Sequence, residues 1–261
     1  SVFFDADKAV KQAHSSATQL FHQRCQHRKD AAQNDKLFRT RSLSCKKLKV
    51  SMTLSTANNN PLLEILETGG RITLEHTLSK EKFTALSARF PDLQMEREAN
   101  GKTNVMSPVK LGSGERESIV LFHVHLWKYK NGNGIVLSPS TGIELPDGSI
   151  KSPDCAWVSN ERLAALPEDA GEDFLRAIPD FVAEIRSSSD RLTSLKKKMT
   201  QTWIAHGVRL GWLIDPYDEK VYIFRQGREV EVMQGFAGKK LSGEDVMPGM
   251  ELPLDELRRK K

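Results

Sequence analysis

Three cysteines are all that 261 residues contain, and Cys25, Cys45 and Cys155 include no Cys-x-x-Cys pair. An odd number without ligand spacing excludes a disulfide framework and a structural zinc site, and it fits a reducing, cytoplasmic setting. Cys155 stands next to Asp154 but is read as a small buried hydrophobe rather than a thiol ligand. Long apolar runs are missing as well. No stretch approaches the roughly 18 apolar residues that span a bilayer, and the first residues lack the charged-then-apolar order of a secretory signal, so no membrane partner is expected. No internal repeat is present, and a content of 38% hydrophobic and 28% charged residues signals no unusual class.

A basic folded body is also missing, although the whole chain is basic. Residues 1–51 hold 11 Lys and Arg, Arg39, Arg41, Lys46, Lys47 and Lys49 among them, against four acids, for a charge of +7. The whole chain has 39 against 34, which leaves residues 52–261 with 28 against 30, or −2. The basic balance is therefore poor evidence that the body binds nucleic acid.

What is there is a body with readable periodicity. Residues 1–59 read as a basic extension without a packed core, apart from a short amphipathic helix at 9–21. Met52 is a candidate natural or alternative start, and Asp5, Asp7, Asp30 and Asp35 argue against an organelle-targeting peptide. Residues 60–257 read as one domain and 258–261 as a basic tail. A short apolar helix or turn is expected at 62–66, and a helix begins at Ser79 and stops at Pro91. Segments 93–99 and 103–106 flank Asn100-Gly101, the signal of a two-residue type I′ hairpin. A helix is expected over 115–129 and buried strands at 154–158 and 181–185. Ser187-Ser188-Ser189-Asp190 is expected to cap a helix at 191–206, whose stripe is Leu192, Leu195, Met199 and Trp203, and Gly207 to close it. Strands follow at 208–214, 220–224 and 229–233. The order implies an α/β fold with a mixed central sheet flanked by helices.

Asp154 and Glu184 interrupt or adjoin the two apolar strand segments, 30 positions apart. An ionised carboxylate is costly to bury unless a metal or a cation compensates it. Oxygen ligands suit magnesium or manganese, and hydrolysis of a phosphodiester uses such an ion to polarise the phosphoryl oxygen and acidify a water. Arg186 lies two residues beyond Glu184, on the same face of an extended strand. Lys198 sits on the flank of its helix, with a stem long enough to reach the sheet edge. His123-x-His125 falls in a helical period, where positions two apart diverge by about 200°, so it is not read as a ligand pair. Trp203 and Trp212 are read as core, and the serines 187–189 as a cap rather than nucleophiles.

These residues carry a resemblance. Pro179-Asp180-Phe181-Val182-Ala183-Glu184-Ile185-Arg186-Ser187, Asp190, Leu195, Lys198-Met199 and Gly207-Val208-Arg209-Leu210-Gly211-Trp212-Leu213-Ile214-Asp215-Pro216 resemble the Uma-type restriction endonucleases of the PD-(D/E)xK superfamily. Val105-Met106-Ser107-Pro108, Ser152-Pro153-Asp154 and Met247-Pro248-Gly249 extend the likeness over about residues 60–257. It implies a restriction-endonuclease-like core with Asp154 and Glu184 as metal ligands, Mg2+ (or Mn2+) as cofactor and DNA as partner. The superfamily pattern wants Lys where Arg186 stands, and an arginine can stabilise charge but not take a proton. Lys198 matches a lysine that the family also carries. Family members often place an acid on the helix before the sheet, here Glu115, taken as a third ligand, or Glu117, and Glu96 on the hairpin is a further candidate.

The expectation is a metal-dependent endonuclease with Asp154, Glu184, Arg186 and Lys198 as catalytic groups. A homodimer is attractive by fold analogy for cutting both strands. The alternative is a non-catalytic nucleic-acid or protein-binding module that keeps the fold, suggested by Arg186 and the near-neutral body. A small-molecule hydrolase has no readable pocket to support it.

Overall fold

The computed structural model describes residues 71–259 apart from positions 75, 132, 168–170 and 172. The readings at 9–21, Met52 and 62–66 lie outside the described residues. The chain divides into two units, Ser1–Thr56 and Ala57–Lys261, and every described residue belongs to the second.

Two sheets carry the site. The first has five strands in the order β1-β3-β2-β6-β5: β1 (Arg71–Thr73), β2 (Gln94–Arg97), β3 (Thr103–Met106), β5 (Ile143–Glu144) and β6 (Ile150–Lys151). Helix α1 (Lys80–Arg89) lies between β1 and β2 in the chain. Its Ser79 cap accepts the Lys82 N–H, Glu81 occupies the first turn, and Phe83 is its buried residue. Phe90 ends the helix just before Pro91, because a residue preceding proline is driven out of the helical region.

The β2–β3 hairpin differs from the two-residue turn that Asn100-Gly101 suggests. The Gly101 N–H reaches Glu98 O (2.8 Å) and the Glu98 N–H reaches Lys102 O (2.8 Å). Gly101 is left-handed, with φ 82°, whereas Asn100 is not among the positive-φ residues. A type I′ turn needs both central residues left-handed, so this is a three-residue loop with the glycine at its bulge position. A Cβ at Gly101 would stand 2.9 Å from Leu78 O, which is why the loop keeps glycine there.

The second sheet has six strands in the order β11-β10-β9-β8-β7-β4: β4 (Ile135–Leu137), β7 (Cys155–Val158), β8 (Phe181–Ile185), β9 (Leu210–Asp215), β10 (Lys220–Arg225) and β11 (Glu231–Gln234). Within it β8 and β9 are parallel and the other pairs antiparallel. Strands β7, β8 and β9 are buried along their whole length, as continuous apolar runs covered on both faces should be. On one face helix α2 (Leu111–Asn131) packs Val120, Val124 and Trp127 against Trp157, Phe181 and Trp212. The same cluster takes in Leu252, Leu254 and Leu257, from the hairpin β12 (Lys240–Ser242) and β13 (Glu251–Pro253) and the 3-10 turn that follows it. On the other face Val182, Leu213 and Phe224 meet Met199 and Trp203. No helix among the described residues is long and apolar enough to cross a membrane.

The β8–β9 crossover is not the single helix expected at 191–206. It begins as α4 (Leu192–Lys197; α3 is the short Asn160–Leu163), opens into a π-helical turn, Lys198–Trp203, and tightens into a 3-10 turn, Ile204–His206. Gly207 closes it at φ 101°, the left-handed stop the sequence suggests. The serine run is not its cap. Asp190 Oδ2 accepts the Ser187 N–H (2.8 Å) and the Ser187 hydroxyl (2.6 Å), and Arg191 at the cap position makes no side-chain cap bond. The stretch 187–190 is thus a self-bonded turn at the end of β8.

Candidate active site

The Cys155↔Ala183 pairing of β7 with β8 sets Asp154, just ahead of β7, beside Glu184. The Ile185 N–H donates to Asp154 Oδ2 at 2.6 Å, so the carboxylate takes a backbone donor from the neighbouring strand. Glu184, 3% exposed, receives two donors on one oxygen: Lys198 Nζ at 2.8 Å and Trp203 Nε1 at 2.8 Å from Oε1. Both donors come from the π turn, one at each end. At about 100° per residue, positions five apart on an α-helix diverge by roughly 140°, whereas π geometry returns i+5 to the same side. The irregularity of the helix is what aims Lys198 and Trp203 at one carboxylate.

Lys198 also joins the two sheets. Its ammonium donates to Glu96 Oε1 of β2 (3.1 Å) and to Ser152 O (3.1 Å), so with Glu184 all three of its N–H bonds are used. Glu96 is 1% exposed. It accepts in addition from Lys151 Nζ (3.4 Å) and the Ser152 N–H (3.3 Å), while Lys151 reaches Glu98 Oε1 at 2.5 Å. Charged groups this deeply buried persist because each has a partner of opposite sign.

Burial raises the Asp154 carboxyl well above the ordinary range, and repulsion from Glu184 and Glu117 adds to it, against the pull of Lys198 and the Ile185 N–H. Glu184 is raised by burial, opposed by Lys198 and Trp203. Glu117 is raised by burial and by Glu184. Burial works against the Lys198 ammonium, but Glu184, Glu96 and Asp154 together outweigh it and hold the group above its usual value. At neutral pH Lys198 is therefore a fixed cation. Burial, then Asp154, pushes the Cys155 thiol up, and this fully buried side chain is core.

The structure brings Asp154, Glu184 and Lys198 together and leaves two expected residues out. Arg186 follows the end of β8 and turns away: its Nη1 donates to Asp215 Oδ2 at 2.7 Å, and Asp215 is fully buried. The two-residue alternation that would put it beside Glu184 ends with the strand. Glu115 lies on the exposed face of α2, whereas Glu117 is buried and lines the cleft; two helical positions separate them by about 200°. His123 bonds Glu256 Oε2 at 2.9 Å and His125 is exposed. Sequence reasoning missed Lys151, Ser152 and the polar role of Trp203. An α-helical period hides the last, since Trp203 falls on the apolar stripe.

Asp154, Glu184, Glu117 and Lys198 line an open cleft of about 1390 Å³. Asp154 Oδ1 and Glu184 Oε2 have no hydrogen-bond partner among the described residues. Two oxygen donors of this kind, with a third carboxylate nearby, suit a hard divalent cation that keeps positions open for water or substrate. Among the described residues no group of three His, Cys, Asp or Glu side chains could hold a metal ion, so such an ion would complete its shell from outside the protein.

The fold resembles a crystal structure of a "putative nuclease belonging to DUF820" from Anabaena variabilis ATCC 29413. The two are 18% identical, with a TM-score of 0.56, over 69% of this chain and 97% of that one. No curated protein matches the sequence. The family model Uma2, described as "Putative restriction endonuclease", matches residues 80–255. That stretch contains both carboxylates, Lys198 and every strand of the two sheets except β1, and the chain belongs to the Uma2 family.

Proposed function

We propose that the protein is a metal-dependent endonuclease that hydrolyses DNA phosphodiester bonds, working in a reducing, cytoplasmic setting. The observation that carries this reading is the convergence of Asp154, Glu184 and the fixed Lys198 cation on the floor of one cleft. Asp154 and Glu184 would hold Mg2+ (or Mn2+), with Glu117 close enough to raise the local negative charge. When bound, that ion supplies phosphoryl polarisation and a more acidic water.

The chain's own groups do the rest. The Ile185 N–H fixes one oxygen of Asp154, and Lys198 with Trp203 fixes one oxygen of Glu184, which leaves the other oxygen of each carboxylate for a metal ion. Lys198, which Glu184, Glu96 and Asp154 hold above its usual value, is placed to stabilise negative charge developing on the phosphate. To reach a phosphate oxygen it exchanges one of its three bonds, and Glu96, on the opposite sheet, is the partner that is not itself a proposed ligand. Arg186 takes no part. A cleft of about 1390 Å³ open to solvent exceeds the roughly 300–1,000 Å³ of a small-molecule pocket and suits a polymer.

Nicking of supercoiled plasmid DNA tests the reading. The purified chain is expected to nick with Mg2+ and not with EDTA, and Asp154→Ala, Glu184→Ala and Lys198→Ala to reduce nicking to background. No Mg2+-dependent nicking, or variants as active as the parent, would remove the reading.

A further inference from the structure

Depth sorts the charges of the cleft. Its lining includes seven Asp and Glu against five Lys and Arg, yet the acids are concentrated on the floor, where Glu96, Glu117 and Glu184 are buried. Two of the cations are spent there: Lys151 pairs with Glu96 and Glu98, and Lys198 with Glu96 and Glu184. The exposed charged residues of the lining are Asp92, Lys110, Arg191 and Lys197. An acidic floor thus lies under a rim whose exposed charges are mostly positive. The side chains of these three cations have no ion pair or hydrogen bond among the described residues.

The fold places them on two sides. Helix α2 covers one face of the six-stranded sheet and the β8–β9 crossover covers the other. Lys110 immediately precedes α2, whereas Arg191 stands at the cap position of α4 and Lys197 ends it. The cations therefore flank Asp154 and Glu184 from both faces of the sheet. Along the crossover Arg191, Ser194, Lys198 and Gln201 recur three or four residues apart, with Lys197 beside Lys198, and all five line the cleft. Residues at that spacing share one side of a helix, so a row of donors roughly 15 Å long, at 1.5 Å per residue, passes Lys198. Carboxylates that hold a metal ion repel the phosphates on either side of the one being cut, and neutralising those flanking phosphates supplies most of the affinity for DNA.

We propose that Lys110, Arg191 and Lys197 are phosphate-binding residues on the two lips of the cleft that grip duplex DNA on either side of the scissile phosphate, with Ser194 and Gln201 as neutral donors beside them. The inference rests on DNA being the substrate. The floor supplies the chemistry and the rim supplies the hold.

The test is fluorescence anisotropy with the full chain and a short random-sequence duplex, in EDTA and across a salt series. The parent is compared with the rim variant Lys110→Gln, Arg191→Gln, Lys197→Gln. A control variant, Lys102→Gln, Lys130→Gln, Arg228→Gln, removes the same charge from exposed residues that do not line the cleft. The basic residues 1–51 are present in all three proteins, so the differences report the rim. The rim variant is expected to bind at least roughly tenfold more weakly at low salt, and its slope of log affinity against log salt should be shallower by about 0.9 for each phosphate no longer neutralised. The control should keep the parental slope, because cations outside the cleft release no counterions from DNA held within it. The charge-keeping Arg191→Lys should keep it as well. Parental affinity and slope in the rim variant, equal losses in the rim and control variants, or a parent that binds no duplex overturns the proposal. Plasmid nicking read in parallel separates it from the endonuclease reading: rim-dependent binding without Mg2+-dependent nicking ends the latter alone, and nicking with rim-independent binding ends the former alone.

Discussion

Asp154 and Arg186 are both charged residues at the ends of buried strands, and the structure gives them opposite tasks. Asp154 is held against its own ionisation by burial and by Glu184 and Glu117, a condition typical of groups kept for function rather than stability. Asp154→Asn is therefore expected to abolish Mg2+-dependent nicking while raising the melting temperature at neutral pH by roughly 2–4 °C, the shift that about 1 kcal/mol gives a domain of this size. The sign with pH follows from the direction of the shifts. Asp154, Glu184 and Glu117 are raised in the folded state, so their contribution to stability is full below the ordinary carboxylate range and is lost as pH rises through the raised values. Asp147 and Asp173 shift the other way, so the comparison that matters is between proteins. Without divalent metal, the parent should lose more stability than Asp154→Asn between acid and neutral pH, as read by thermal melts at several pH values. Arg186→Gln is a contrasting case. It leaves fully buried Asp215 without its cation and is expected to cost about 1–3 kcal/mol in urea unfolding, with kcat unchanged at saturating DNA.

At the scale of elements, the π turn Lys198–Trp203 decides whether the carboxylates have a cation. It sets Lys198 Nζ and Trp203 Nε1 on the same Glu184 oxygen, which a regular helix with this sequence would not do. Trp203→Phe keeps the ring and removes the donor. A buried Glu184 oxygen that loses one of two donors is expected to lower kcat, with KM for DNA little changed, because the ring still fills the core and the cleft's outer surface is untouched. The β2–β3 loop shows the same dependence on backbone detail. Gly101→Ala places a Cβ 2.9 Å from Leu78 O at φ 82° and should destabilise by about 1–2 kcal/mol, measurable as a lower urea midpoint. Since β2 carries Glu96, nicking should fall with stability in that variant.

Across the whole molecule, the site exists because two sheets meet over one lysine. Glu96 from the five-stranded sheet and Glu184 from the six-stranded sheet both accept from Lys198, so neither sheet alone assembles the constellation. Glu96→Gln removes a buried charge but keeps an acceptor at that place. The expected result is a folded protein in which Lys198 is freer to leave for the phosphate, read as a change in kcat at unchanged Mg2+ affinity. A loss of Mg2+ binding measured by calorimetry would instead make Glu96 a ligand. Divalent metal should raise the parent's melting temperature in proportion to the logarithm of its concentration above saturation, and Asp154→Ala should remove that response.

Much of this was legible in the chain itself. The apolar runs around Cys155–Val158 and Phe181–Ile185, interrupted or adjoined by single carboxylates, announced buried strands with a costly charge apiece, and Ser79, Pro91 and Gly207 marked their helix ends by local chemistry. Local rules could not say that Arg186 lies past the last strand residue, where alternation no longer applies. Nor could they say that Glu117 rather than Glu115 turns inward, or that Ser187 bonds Ser189 and Asp190 instead of the run capping a helix. Periodicity assumes a regular backbone, and the π turn is a departure from it held in place by contacts far apart in sequence. Which charges would be expensive to bury follows from the residues alone; which cation meets them follows from the packing of the two sheets, because that packing sets the distances over which charges act.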